Sequence, residues 1–99
     1  MKCYKLLVHG KLDWSPEAVR KWHVPDTRPS GFYCTRFRFA RSREEATAKV
    51  LEDVRTFYEQ TTDWFVHDLL ELGLEIEEIS RAPFYLGLKK PNHVATFYP

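Results

Sequence analysis

The chain has 99 residues, of which 43% are apolar, 15% aromatic and 29% charged, with a formal net charge of +1. This excludes a disordered chain, and no apolar run approaches the roughly 20 residues of a membrane-spanning helix. A chain of this length is one domain, 1–99, able to bury roughly two-thirds of its unfolded surface.

The net charge conceals a segregation. Residues 1–43 hold ten Lys/Arg against three Asp/Glu, residues 44–80 hold two against eleven, and residues 81–99 hold three and no acid. Such a distribution bears on association and surface potential rather than on fold. The opening MKCYKLLVH turns polar too soon for a signal peptide, so the expected compartment is the cytoplasm. The two cysteines, Cys3 and Cys34, are expected to be reduced thiols, since a secreted domain of this size usually carries more.

Along CYKLLVHGKLD, residues 3–13, Tyr4, Leu6, Val8 and Leu12 share one side, and Cys3, Lys5, Leu7, His9 and Lys11 the other. Period two with one apolar side predicts a half-buried strand, and Gly10 late in it marks a bulge or a bend. In WSPEAVRKWHVPDTRPSG, the Ser15-Pro16-Glu17 start predicts a helix, kept short by Val24-Pro25 and the Pro29-Ser30-Gly31 cluster. Trp14, Val19 and Trp22 are expected to fasten this excursion to the body.

GFYCTRFRFARSREEA, residues 31–46, alternates like a second strand and then enters a helix. Tyr33, Thr35, Phe37 and Phe39 fall on one face; Phe32, Cys34, Arg36 and Arg38 fall on the other. The first, aromatic face is expected inward and the arginine face outward. Ser42 followed by Glu45 is a Ser-x-x-Glu capping box, and it predicts a helix from Arg43 to about Gln60. Its apolar stripe is Ala46, Val50, Val54, Phe57, Tyr58 and Thr61.

Thr61-Thr62-Asp63 is expected to break that helix and cap another, Trp64 to Leu72, ended by Gly73. LEIEEI, residues 74–79, reads as a third strand whose alternation slips at Glu77-Glu78; a bulge there returns Ile79 to the buried side. Residues 84–89 form a weak strand and His93 to Tyr98 a last one, around a turn at Lys90-Pro91-Asn92. The order predicts an α+β fold with a mostly antiparallel sheet of 3–5 strands and helices on one face. The second strand, long helix and third strand form a crossover, expected right-handed. A ferredoxin-like arrangement, with the first strand between the second and third, satisfies it.

The pieces GFYCTR, RFARS, LEIEEI and the terminal TFYP resemble small uncharacterised bacterial proteins with a GFYTTR-like strand and an FTFYP-like end. The resemblance covers about three-quarters of the chain. This sequence departs from it at Cys34, where the pattern tends to have Thr, and in the Trp/Pro-rich segment 14–30. The resemblance implies a compact cytosolic α+β domain. It implies no activity and supplies no catalytic residue.

Chemistry-bearing motifs are few. His9, His23, His67 and His93 show no ligand spacing such as H-x-x-x-H, and Asp63 with His67 is only two candidate ligands, so no metal or cofactor is expected. Cys34 beside Arg36 is a candidate lowered-pKa thiol, and His9 a base close to it if the first two strands pair as a simple hairpin with Cys34 near Gly10. That register separates Cys3 from Cys34 by several residues, which argues against a disulfide. Glu75, Glu77 and Glu78 are explained by the solvent face of a strand.

Three functional readings follow. The first is a non-enzymatic module that binds a charged protein partner or itself through the outer sheet face. There Arg36 and Arg38 meet carboxylates, Phe32 gives apolar contact, and Arg41 and Arg43 flank them. Trp14, Trp22 and Trp64 are candidate aromatic anchors. The second is nucleic-acid or polyanion binding by the same arginines; it lacks a stacking platform, because only Phe32 shares their face. The third is a thiol-dependent enzyme at Cys34.

Overall fold

The computed structural model describes residues 1–16, 29–62, 70–88 and 94–99. Strand β1 (Lys2–Trp14) is followed by β2 (Gly31–Ala40), the long helix α1 (Arg43–Thr61), β3 (Leu70–Arg81), the single-turn helix α2 (Phe84–Gly87) and β4 (Thr96–Tyr98). The strands form one antiparallel sheet in the order β3-β1-β2-β4. The fold is α+β. β2 and β3 both run antiparallel to β1, so they are parallel to each other, and α1 connects them across β1.

β1 follows its alternation. Tyr4, Leu6, Val8 and Leu12 are buried against Ala46, Val50, Val54 and Tyr58 of α1. Leu6, Val8, Phe32, Val50 and Val54 are the largest side chains sealed completely from solvent. Removing a side chain of this kind from water contributes about 1.5–3 kcal/mol. α1 begins as expected. Ser42 is extended, with φ −148° and ψ 166°, and its hydroxyl accepts the Glu45 N–H at 3.2 Å. The other half of the capping box differs, because the Glu45 carboxylate pairs with Lys49 at 2.8 Å. The helix ends at Thr62, which is extended and whose hydroxyl donates to the Tyr58 carbonyl at 2.6 Å. Arg55 ties α1 to the neighbouring strand by donating to the Leu72 carbonyl at 3.0 Å.

The bulge in β3 is present. Ile76 pairs with Val8 and Glu78 with Leu7, so Glu77 has no counterpart on β1, and Ile79 returns to pack against the core.

Several expectations need correction. Residues 70–72, expected as the end of a helix, are strand. Leu70 and Leu72 alternate with Glu71 and Gly73, and both leucines are buried opposite Trp14 and Leu12. The rest of that predicted helix, 64–69, lies outside the described residues with Asp63 of its expected cap, as do the short helix predicted after Pro16, Val19, Trp22, His23, Trp64, His67 and His93. Within the weak strand expected at 84–89, Phe84–Gly87 form α2 instead, where Leu86 N–H bonds the Pro83 carbonyl at 3.1 Å, and residue 89 lies outside the described residues. Helices are not confined to one face. α2 lies over Cys3 and Phe39, on the side of the sheet opposite α1. Trp14 does fasten the excursion, its indole N–H donating to the Pro29 carbonyl at 2.7 Å.

Candidate functional site

The largest correction concerns β2. Its register pairs Gly10 with Phe32, Val8 with Cys34, Leu6 with Arg36 and Tyr4 with Arg38. Partners directly across a sheet share a face. Phe32, Cys34, Arg36 and Arg38 therefore lie on the α1 side with Leu6 and Val8, and Tyr33, Thr35, Phe37 and Phe39 lie on the outer side. Phe32 is fully buried, Arg36 is 8% exposed and Phe37 is 37% exposed. Gly10 makes this fit possible, because a Cβ there would overlap the Phe32 ring.

The expected arginine surface is thus not assembled. Arg36 threads its aliphatic stem beneath α1, and its guanidinium carbon stands 6.0 Å from the Phe57 ring centroid. Arg38 pairs with Asp53 of α1 at 3.1 Å. Arg41 and Arg43 are exposed at the entrance to α1, away from the outer face. The thiol–base pair is not assembled either. Cys34 is on the inner face and His9 on the outer. Burial pushes the Cys34 thiol up, against the lowering influence of Arg36. Cys3 and Cys34 are free thiols on opposite faces.

The outer face holds a different constellation. His9 projects from β1 yet is 7% exposed. Tyr33 stacks on its ring, with centroids 4.5 Å apart and planes 10° apart. Nδ1 lies 2.8 Å from Glu75 Oε1 and 3.2 Å from Glu77 Oε1, and Nε2 lies 2.5 Å from the Tyr98 hydroxyl. Ionised carboxylates only accept hydrogen bonds, so Nδ1 carries a proton and donates it to them. In the neutral ring Nε2 then accepts from Tyr98. The His9 hydrogen bond, and after it the Lys11 ammonium 3.9 Å away, hold the Glu75 carboxyl below the usual carboxylate range.

Four strands supply this cluster, and each contribution has a local cause. His9 and Glu75 are directly opposed in the β1–β3 register. The bulge leaves Glu77 unpaired with β1 and free to lean toward Nδ1. β4 brings Tyr98 opposite Gly31, where a Cβ would strike the phenol. His9, Glu75 and Glu77 place three potential ligand atoms within 4.8 Å of one another. The arrangement can fix a tyrosine hydroxyl, pass a proton between Tyr98 and a carboxylate, or exchange the Nδ1 proton for a cation.

The outer face also carries apolar surface. Tyr33 is 40% exposed, Phe84 and Tyr85 on α2 are 66% and 56% exposed, and Leu88 just after α2 is 69% exposed. Among the described residues, no helix is long and apolar enough to cross a membrane.

Sequence reasoning missed the histidine cluster because it searched for ligand spacing along the chain. His9 and Glu75 are 66 residues apart. The usable signal was topological: outward His9 on a central first strand, beside outward glutamates on the third. Comparison of the chain with family models, with curated proteins and with solved structures gives no match.

Proposed function

We propose that this chain is a non-enzymatic binding module that associates with a second copy of itself through the outer face of its sheet. One observation carries the reading. Phe37 and Tyr33 on β2, Phe84 and Tyr85 on α2 above the same face, and Leu88 at its end leave large apolar side chains in water. Several large apolar side chains exposed on one face favour an interaction surface over idle surface, and the Phe84 and Tyr85 rings are neighbours, with centroids 6.4 Å apart.

A second copy suits the face because it carries both signs of charge. Lys5 and Lys11 stand on β1, and Glu71, Glu75, Glu77 and Glu78 on β3. A net charge of +1 puts little general repulsion between copies. Edge-to-edge association through β3 is disfavoured, since the bulge and its row of carboxylates are devices that blunt a strand edge. The ferredoxin-like description belongs to the same proposal, and its support is the β2–α1–β3 crossover about a central β1.

The test is sedimentation velocity over a range of concentrations, wild type against Phe37→Ser/Tyr85→Ser, at low and high salt. A wild-type dimer that the double variant converts to monomer supports the proposal. A wild-type monomer at every concentration overturns it. Arg36→Glu is the wrong probe of this surface, because Arg36 lies beneath α1.

A further inference from the structure

His9 is unusual among the outer-face residues. It is nine-tenths buried by neighbours that contact it through polar atoms or a ring face, and none of those contacts is to the core beneath α1. Two carboxylates converge on a single ring nitrogen, and one of them, Glu77, does so from the bulged position. A bulge re-aims a side chain, and bulges concentrate beside functional sites. One imidazole N–H can be shared between two carboxylates, but it neutralises neither.

We propose that His9 Nδ1, Glu75 and Glu77 form a binding site for a divalent transition-metal ion of the zinc type. The site is independent of whether copies of the chain associate. The metal takes the place now held by the Nδ1 proton, between the same three atoms. Zinc–ligand distances of about 2.0–2.2 Å set tetrahedral donors about 3.3–3.5 Å apart. Nδ1 now lies 2.8 and 3.2 Å from the two carboxylate oxygens, so the donors open by a fraction of an ångström. Glu75 and Glu77 side chains are 50% and 41% exposed and free to make that adjustment, while the stacked, buried imidazole stays in place.

The donor set also selects the ion. One imidazole with two carboxylates suits zinc, cobalt, nickel and iron; calcium and magnesium favour all-oxygen shells. The ion's two positive charges balance the two carboxylates. Three protein ligands leave a fourth position open to water. On metal binding the ring proton moves to Nε2 and is donated to the Tyr98 oxygen. A hydroxyl can accept there as readily as it now donates, so the tautomer change breaks no hydrogen bond. Lys11, 66% exposed and 3.9 Å from Glu75, withdraws into solvent without cost to the fold.

The experiment uses the untagged, metal-free chain. Cobalt(II) is followed by its ligand-field absorption, and zinc by competition with a chromophoric chelator. Calcium and magnesium are run in parallel at the same concentrations. The expected result is one equivalent of cobalt or zinc per chain, undisturbed by tenfold excess calcium or magnesium. Affinity falls at least tenfold in Glu77→Gln and in Glu75→Gln, whose exposed side chains can be exchanged with the fold intact, as circular dichroism verifies. Absence of stoichiometric cobalt or zinc binding overturns the proposal. So does equal affinity in both glutamine variants, which would place the ion on other residues, and so does calcium or magnesium displacing zinc.

Discussion

Among the described residues, each face of the sheet buries one basic side chain, and the two have different surroundings. Beneath α1, Arg36 is enclosed under the helix, its guanidinium near the Phe57 ring and hydrogen-bonded to the Cys34 thiol. On the outer face, His9 is enclosed by other polar groups: two carboxylates, a phenol and a stacked tyrosine ring. A polar side chain sealed beneath a helix serves stability, because any exchange of its partners requires the helix to lift. One held by hydrogen bonds at the solvent boundary can trade partners while the backbone stays still. The contrast teaches that low exposure alone does not separate a structural polar residue from a candidate site; the identity of what encloses it does.

The sharpest break of this comparison is Leu6→Ala against Leu7→Ala. Leu6 is sealed beneath α1 and Leu7 is half-buried outside. Urea unfolding is expected to show a loss of about 2–5 kcal/mol for Leu6, and about 1 kcal/mol or less for Leu7. Next comes Arg36→Glu against Phe37→Ser. The first places a carboxylate under the helix and is expected to cost about 3 kcal/mol; the second, at an exposed position, changes monomer stability by less than about 1 kcal/mol. The reverse order would return the arginines to the outside. Tyr98→Phe removes one hydrogen bond from His9 and is expected to cost about 1 kcal/mol by the same measurement.

The last effect is confined to alkaline pH. Burial, and after it the nearby Cys34, pushes the Tyr58 phenol up to about 12 from an ordinary 10.0. The folded state therefore holds the proton more tightly than the unfolded chain does. The associated stability is fully present below pH 10 and is lost as pH rises toward 12. Denaturation midpoints taken across that window should fall for wild type and fall less for Tyr58→Phe. Cys34, raised by burial in the same way, should alkylate slowly at neutral pH.

Much of the fold was legible. The inner set of β1, the Ser42 cap, the Val50/Val54 stripe, the Thr62 stop and the bulge at Glu77 all follow from short-range rules. The orientation of β2 was legible in part. Even the simple hairpin pairing, with Cys34 beside Gly10, put Cys34 on the face of Leu6 and Val8, because directly opposed residues share a side. Judging β2 by its own composition pointed the other way. Tyr33, Phe37 and Phe39 outweigh Phe32, Cys34 and Arg36 in apolar surface, and that local signal was misleading. The stretch 70–72 was ambiguous for a related reason: a few leucines beside an acid and a glycine satisfy a helix end and a strand equally well.

What the amino-acid sequence determined by itself is β1, β2, the long helix α1, the bulged part of β3 and the α+β class, since periodicity, capping and turn chemistry act between residues a few positions apart. Only the tertiary structure decided which side of β2 meets α1 and that His9, Glu75, Glu77 and Tyr98 come together. Both depend on strand register, and a slip of one residue exchanges the two faces of a strand while leaving every local preference satisfied.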